Sequence, residues 1–262
     1  MRAVSALLIA AVLAITSPAL AFDPPSTGVV VIHGKWGHPG DPNTTGGFAA
    51  ALRRAGFVVD QPEMPWSGAR LYDRGFDQAM DDIDAAVSRL RASGAKKIVV
   101  AGHSLGGSAA LRYAALGRPL DALILIAPAP LPEGRVYRNR LADDLARAAA
   151  MVASGHGDDS AQFTDLNSDN RSRSVRFQAA IYLSYNSGDG PAAMIPNIQN
   201  LGPVPVLWLA PRFDPLTQAL DRLVWPKVPP ATPATRIEVI ADHMGAPMAG
   251  RDAAIDWLRN LK

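Results

Sequence analysis

The sequence predicts an α/β protein: about six mostly parallel strands in one sheet, helices on both faces, and a helical insertion before the last two strands. Three observations carry this expectation. From Thr27 onward, short β-branched runs alternate with longer stretches of helical pattern. The runs are apolar without a break, as strands covered on both faces must be, and do not alternate as a half-wet sheet would. One interval, 131–200, is far too long for an ordinary strand-to-helix connection.

The elements follow in order. A run of glycine, valines and isoleucine over 28–33 reads as a buried strand ending at His33 and Gly34. Residues 46–55 suit a helix stopped by Gly56, and 57–60 the next strand. Phe76, Met80, Ile83, Val87 and Leu90 recur at alternating steps of four and three, an amphipathic helix ended by Gly94. Strand 97–101, helix 105–116 and strand 122–127 come next, and strands 204–210 and 236–240 and a last helix over 252–261 close the chain.

The insertion opens on Pro128, Pro130 and Pro132. It has a helix-like stretch over 139–154, a polar loop over 155–173 and an aromatic-bearing stretch with Phe177, Tyr182 and Tyr185. No sheet strand is evident in it. Connections at the carboxyl ends of parallel strands border the ligand crevice, so 131–200 is expected to cap that edge. The core is then 22–130 with 201–262.

The first 21 residues differ from the rest. Arg2, an apolar stretch over 3–15 broken only by Ser5, and Ala19-Leu20-Ala21 have the form of an export signal cleaved after Ala21. The stretch is short of the ~20 residues a transmembrane helix wants; an uncleaved anchor is the alternative. A mature chain beginning at Phe22, in a periplasm or secreted, is expected, with no membrane span after cleavage.

Composition excludes several classes. With no cysteine, disulfide frameworks, thiolate metal sites, iron–sulfur clusters and cysteine nucleophiles are ruled out. At 48% apolar, 19% charged and net +2, the chain is not disordered, and no dense Lys/Arg patch points to nucleic acid. Nothing in it signals an oligomeric state.

The chemistry centres on Gly102-His103-Ser104-Leu105-Gly106. Gly-x-Ser-x-Gly between a strand and a helix is a nucleophile elbow, which lifts the serine hydroxyl above the sheet; without that context it is a common Gly-Ser turn. A serine needs a base, and the base an orienter. Only His156 and His243 follow Ser104; His156 lies in the polar loop, whereas His243 directly follows the last strand. For the acid, Asp214 follows strand 204–210, while Asp221 falls in a helix and Asp242 adjoins His243. A helix cap before Pro215 is the other reading of Asp214. Backbone N–H groups of Leu105 and, after the first strand, Lys35 are the expected oxyanion donors. His33 reads as a brace for that loop.

These residues together resemble the α/β-hydrolase superfamily: His33-Gly34 after the first strand, the Gly-His-Ser-Leu-Gly-Gly elbow, Asp214-Pro215 and Asp242-His243. The likeness runs from Thr27 to Leu261 apart from the insertion, in a short version lacking the first two of up to eight strands. It implies an esterase- or lipase-like serine hydrolase acting on small-molecule esters or related acyl bonds without a cofactor. Serine at the elbow, in place of aspartate, separates it from dehalogenase- and epoxide-hydrolase-like relatives. Perhydrolysis, amide cleavage, lyase chemistry, or a non-catalytic binding protein on the same fold are the alternatives.

Weaker features remain. Trp36, Trp66, Phe177 and Tyr182, with Phe163 and Met194, could line an acyl pocket or be ordinary packing. Asp165-x-Asn167-x-Asp169 has the spacing that begins a calcium loop, but Asn170 and Arg176 stand where glycine and glutamate are needed. It reads as a solvated loop, and no metal is expected.

Overall fold

The computed structural model describes residues 22–167 and 171–261, so the expected export signal over 1–21 lies outside the described residues. Six strands form one parallel sheet: β1 (Thr27–Ile32), β2 (Val58–Asp60), β3 (Lys97–His103), β4 (Ala122–Ile126), β7 (Val206–Pro211) and β8 (Ala234–Val239), in the order β2–β1–β3–β4–β7–β8. β1, β4 and β7 are buried at every residue, and β3 at all but Lys97. Hence their sequences show no polar alternation.

Period-two geometry still divides the side chains between two cores. Val29, Val31, Val99, Ala101, Ile124 and Leu207 pack against α1 (Thr45–Arg54) and α8 (Ala246–Asn260). Val30, Ile32, Val100, Leu123, Leu125 and Trp208 face α2 (Ala79–Ala92) and α3 (Leu105–Ala115). Each fully buried aliphatic side chain here contributes roughly 1.5–3 kcal/mol, which keeps the strand ends, and the loops that leave them, in fixed positions.

The insertion is partly helical: α4 (Arg135–Arg140), α5 (Ala142–Ala153), α6 (Ala179–Asn186) and α7 (Met194–Gln199). The expected polar loop, however, is mostly an antiparallel hairpin of β5 (Ser160–Leu166) and β6 (Ser172–Gln178). Phe163 lies opposite Val175 and Asp165 opposite Arg173, while Gln162, Ser174 and Arg176 face solvent. With a polar residue at every second position, the hairpin looks like a loop to any reading that seeks continuous apolar runs. It packs against the loop after β1, at the carboxyl edge of the sheet, through Lys35 and Trp36.

Candidate active site

The elbow is built by close backbone approach. Ser104 connects β3 to α3 at φ 54° and ψ −122°, a conformation that L-residues seldom adopt and that must be held by its surroundings. A Cβ on Gly102 would stand 2.0 Å from the Gly106 carbonyl oxygen, and one on Gly106 would stand 2.5 Å from that of Ile32. No side chain fits at either position. Gly34 likewise lets the loop after β1 approach: its Cβ would lie 3.1 Å from that of Ser104.

Loops leaving β7 and β8 bring the other two side chains in. Ser104 Oγ and His243 Nε2 are 2.9 Å apart, and His243 Nδ1 lies 2.6 Å from Asp214 Oδ2. The remaining Asp214 oxygen accepts the Leu216 N–H at 2.9 Å, so the cap-like role and the pairing with histidine coexist. Burial alone would raise this carboxyl, but the His243 hydrogen bond and charge, with the Leu216 amide, hold it below the ordinary range. Asp214 therefore stays ionised and fixes Nδ1 as the protonated nitrogen, leaving Nε2 to accept from Ser104. Such a series can take a proton from the hydroxyl as it attacks an electrophile.

The rival acid and base candidates are occupied elsewhere. Asp221 pairs with Arg236, Asp242 accepts from the Gly245 N–H, and His156 pairs with Asp159 on the exposed surface. His33 is a brace: Nδ1 donates to the Gly34 carbonyl at 2.8 Å and Nε2 accepts from the Met64 N–H at 3.1 Å. Burial lowers its pKa and keeps it neutral. His103 donates from Nε2 to the His243 carbonyl at 2.9 Å and so holds the backbone of the base. Among the described residues the amides of Lys35 and Leu105 have no acceptor, as oxyanion donors require.

A cavity of about 230 Å³ opens over Ser104, bordered by Lys35, Trp36, Asp41, Asn167, His243 and Met244. Of the expected pocket aromatics, only Trp36 borders it. Trp66, Phe177 and Tyr182 are a correction: each is 2% exposed or less, in an aromatic cluster with Tyr72, Phe76, Phe163 and Tyr185. The Trp66 indole is spent on the His33 carbonyl and the Tyr182 hydroxyl on that of Thr164. They anchor the insertion to the core.

A second correction concerns Asp165. It is not a solvated calcium-loop residue but is 1% exposed, bound by Lys35, Trp36 and Tyr72. Asp169 lies outside the described residues. Asp165, Tyr72 and His103 were not singled out as site residues by sequence reasoning. A histidine inside the elbow motif was the one available signal.

Residues 23–182 match the family described as serine aminopeptidase, S33. The chain belongs to this family of hydrolases. The matched span holds the Ser104 elbow and ends before Asp214 and His243. No protein of curated function matches the chain in sequence.

The hydrolase shares its fold with esterases and lipases. A structure from the work on the metagenome-derived lipolytic enzymes LipS and LipT is 18% identical at a TM-score of 0.60, covering 90% of this chain and 94% of its own. Est1E of Butyrivibrio proteoclasticus, with ferulic acid bound, is 17% identical at 0.59 and covers 90% of both chains. The monoacylglycerol lipase of Paleococcus ferrophilus is 21% identical at 0.56, covering 90% and 95%.

Proposed function

We propose that this chain is an exported serine hydrolase that cleaves carboxylic esters through an acyl-enzyme on Ser104. The observation that carries the reading is the hydrogen-bonded series from Ser104 through His243 to Asp214 at the carboxyl edge of the sheet. As Oγ bonds to the acyl carbon, His243 Nε2 takes its proton, and the carbonyl oxygen gains charge facing the Lys35 and Leu105 amides. The imidazolium then protonates the departing alkoxide, leaving the acyl group on Ser104. A water activated by the same histidine releases the acid and restores the serine. Removing one such amide donor commonly costs about 10²–10³ in rate, so the loop carrying Lys35 matters as much as the triad.

A volume of about 230 Å³ favours short acyl groups; sites for drug-sized ligands run from roughly 300 Å³ upward. Export rests on the Arg2, apolar-run and Ala19-Leu20-Ala21 pattern. Amide cleavage is a second reading, favoured by the family's aminopeptidase description. An aminopeptidase needs an acceptor for the free amino group of its substrate. Among the described residues Asp41 is the carboxylate bordering the cavity, and it already accepts from the Asn43 N–H and the Thr44 hydroxyl.

The test is a panel of p-nitrophenyl esters of increasing chain length beside aminoacyl p-nitroanilides, run on the wild type and Ser104→Ala. Short esters should turn over fastest and all turnover should vanish in the variant. Anilides hydrolysed faster than every ester would transfer the reading to amide cleavage.

A further inference from the structure

We propose that Asp165, carried by the insertion, is a positioning residue that holds the oxyanion-donating loop against Ser104. The inference rests on the proposed role of Ser104 and deepens it. Asp165 sits on β5, and its two oxygens gather donors from separate parts of the chain. Oδ1 accepts Lys35 Nζ at 2.7 Å, and Oδ2 accepts the Trp36 indole at 2.5 Å and the Tyr72 hydroxyl at 2.6 Å. Lys35 Nζ also donates to the Leu166 carbonyl at 2.9 Å, and the Arg173 guanidinium lies 4.2 Å from the Trp36 ring centre. Two consecutive residues of the loop after β1 are thus tied by their side chains to one carboxylate of the hairpin.

The backbone shows why a tie is needed. Trp36 and Tyr72 both have φ of 60°, the left-handed region, without being glycine. That conformation costs about 1–2 kcal/mol per residue and persists only where surrounding contacts over-determine it. Both side chains end on Asp165. The Trp36 N–H is taken by the Trp66 carbonyl at 3.0 Å and the Gly37 N–H by that of Gly34 at 3.1 Å, so the loop closes around Lys35 and leaves its amide without an acceptor among the described residues. Lys35 is pinned from both sides: its side chain by Asp165, its following peptide by Trp66. The buried pair of Lys35 and Asp165, 5% and 1% exposed, is a poor device for stability alone, because desolvation offsets most of its attraction. It is well suited to fixing geometry. On this reading the insertion is more than a cover for substrate, since it completes the catalytic edge.

The experiment measures the second-order rate of Ser104 labelling by a small fluorophosphonate, and kcat and KM for a short ester, per folded chain. Asp165→Asn should slow labelling and kcat at least tenfold with KM within threefold, since the loss falls on the transition state. Tyr72→Phe, which removes one hydroxyl, should lower both by a few fold in the same way. Lys35→Met combined with Asp165→Asn removes the Lys35 charge together with its partner and leaves the part-exposed Arg173 guanidinium, 3.9 Å from Asp165, as the remaining cation, so it should recover part of the lost melting temperature but not the labelling rate. Labelling of Asp165→Asn within twofold of wild type overturns the inference, as does a double variant that recovers rate together with stability. If Asp165→Asn does not fold, an unchanged rate in Tyr72→Phe overturns it equally. A wild type that takes up no phosphonate overturns the proposed function and this inference with it, whereas a labelled wild type with an equally reactive variant overturns the inference alone.

Discussion

Lowering the pH from 7 to 4.5 should destabilise the folded chain through His103, and replacing that residue should remove the effect. The ring is 1% exposed. Its Nε2 must carry a proton to donate to the His243 carbonyl, and Nδ1 has no partner among the described residues, with Gly34 packed beside it. A second proton on Nδ1 would be buried with nothing to accept it. Burial, then the neighbouring His243, pushes the pKa down to about 3 from an ordinary 6.5. The unfolded chain takes up this proton below pH 6.5 and the folded chain does not, so stability is full above 6.5 and falls as pH drops toward 3. At 1.36 kcal/mol per pH unit, the loss by pH 4.5 is about 3 kcal/mol. Urea unfolding of the wild type and His103→Gln at both pH values reads this directly. Glutamine can still donate to the His243 carbonyl, and His33, shifted in the same direction, cancels in the comparison. The wild type should lose about 3 kcal/mol more than the variant. Equal losses, within about 0.5 kcal/mol, would refute a buried neutral His103.

Other outcomes follow from the same geometry. His243→Ala should lower kcat by roughly 10³ or more and Asp214→Asn by about 10²–10⁴, with the double variant little worse than His243→Ala; steady-state kinetics in which the losses multiply would dissolve the relay. Gly106→Ala would press a methyl group 2.5 Å from the Ile32 oxygen and 2.6 Å from that of His33. It should cost more than ~2 kcal/mol, and an unchanged urea midpoint contradicts that. Tyr182→Phe removes a bond to the Thr164 carbonyl and should cost about 1 kcal/mol, while leaving ester chain-length preference as it was; a shifted preference would return Tyr182 to the cavity wall.

Much of the frame could be read in advance because it rests on local signals. Runs such as 97–101 and 122–127 are apolar on both faces and bounded by turn residues, and they became β3 and β4. Ser104 announced itself through glycines whose need is steric and local. Where sequence reasoning stopped short, the cause was distance along the chain or weak periodicity. Asp165 meets Lys35, Trp36 and Tyr72 across 130, 129 and 93 residues, and nothing near Asp165 in sequence reports those partners. The β5–β6 hairpin carries its buried apolar signal on Phe163, Leu166, Val175 and Phe177, each separated from the next by polar residues. Trp66, Phe177 and Tyr182 were suited by type to a pocket or a core, and only their burial decides between the two.

Intact-mass spectrometry with peptide mapping after fluorophosphonate treatment shows whether Ser104 is the residue that becomes acylated. One adduct per chain is expected, on the peptide containing Ser104, absent from Ser104→Ala and slowed in His243→Ala. An adduct elsewhere, or a Ser104→Ala protein that keeps a tenth of the wild-type ester turnover, would contradict acylation at Ser104, since losing a nucleophile costs several orders of magnitude in rate.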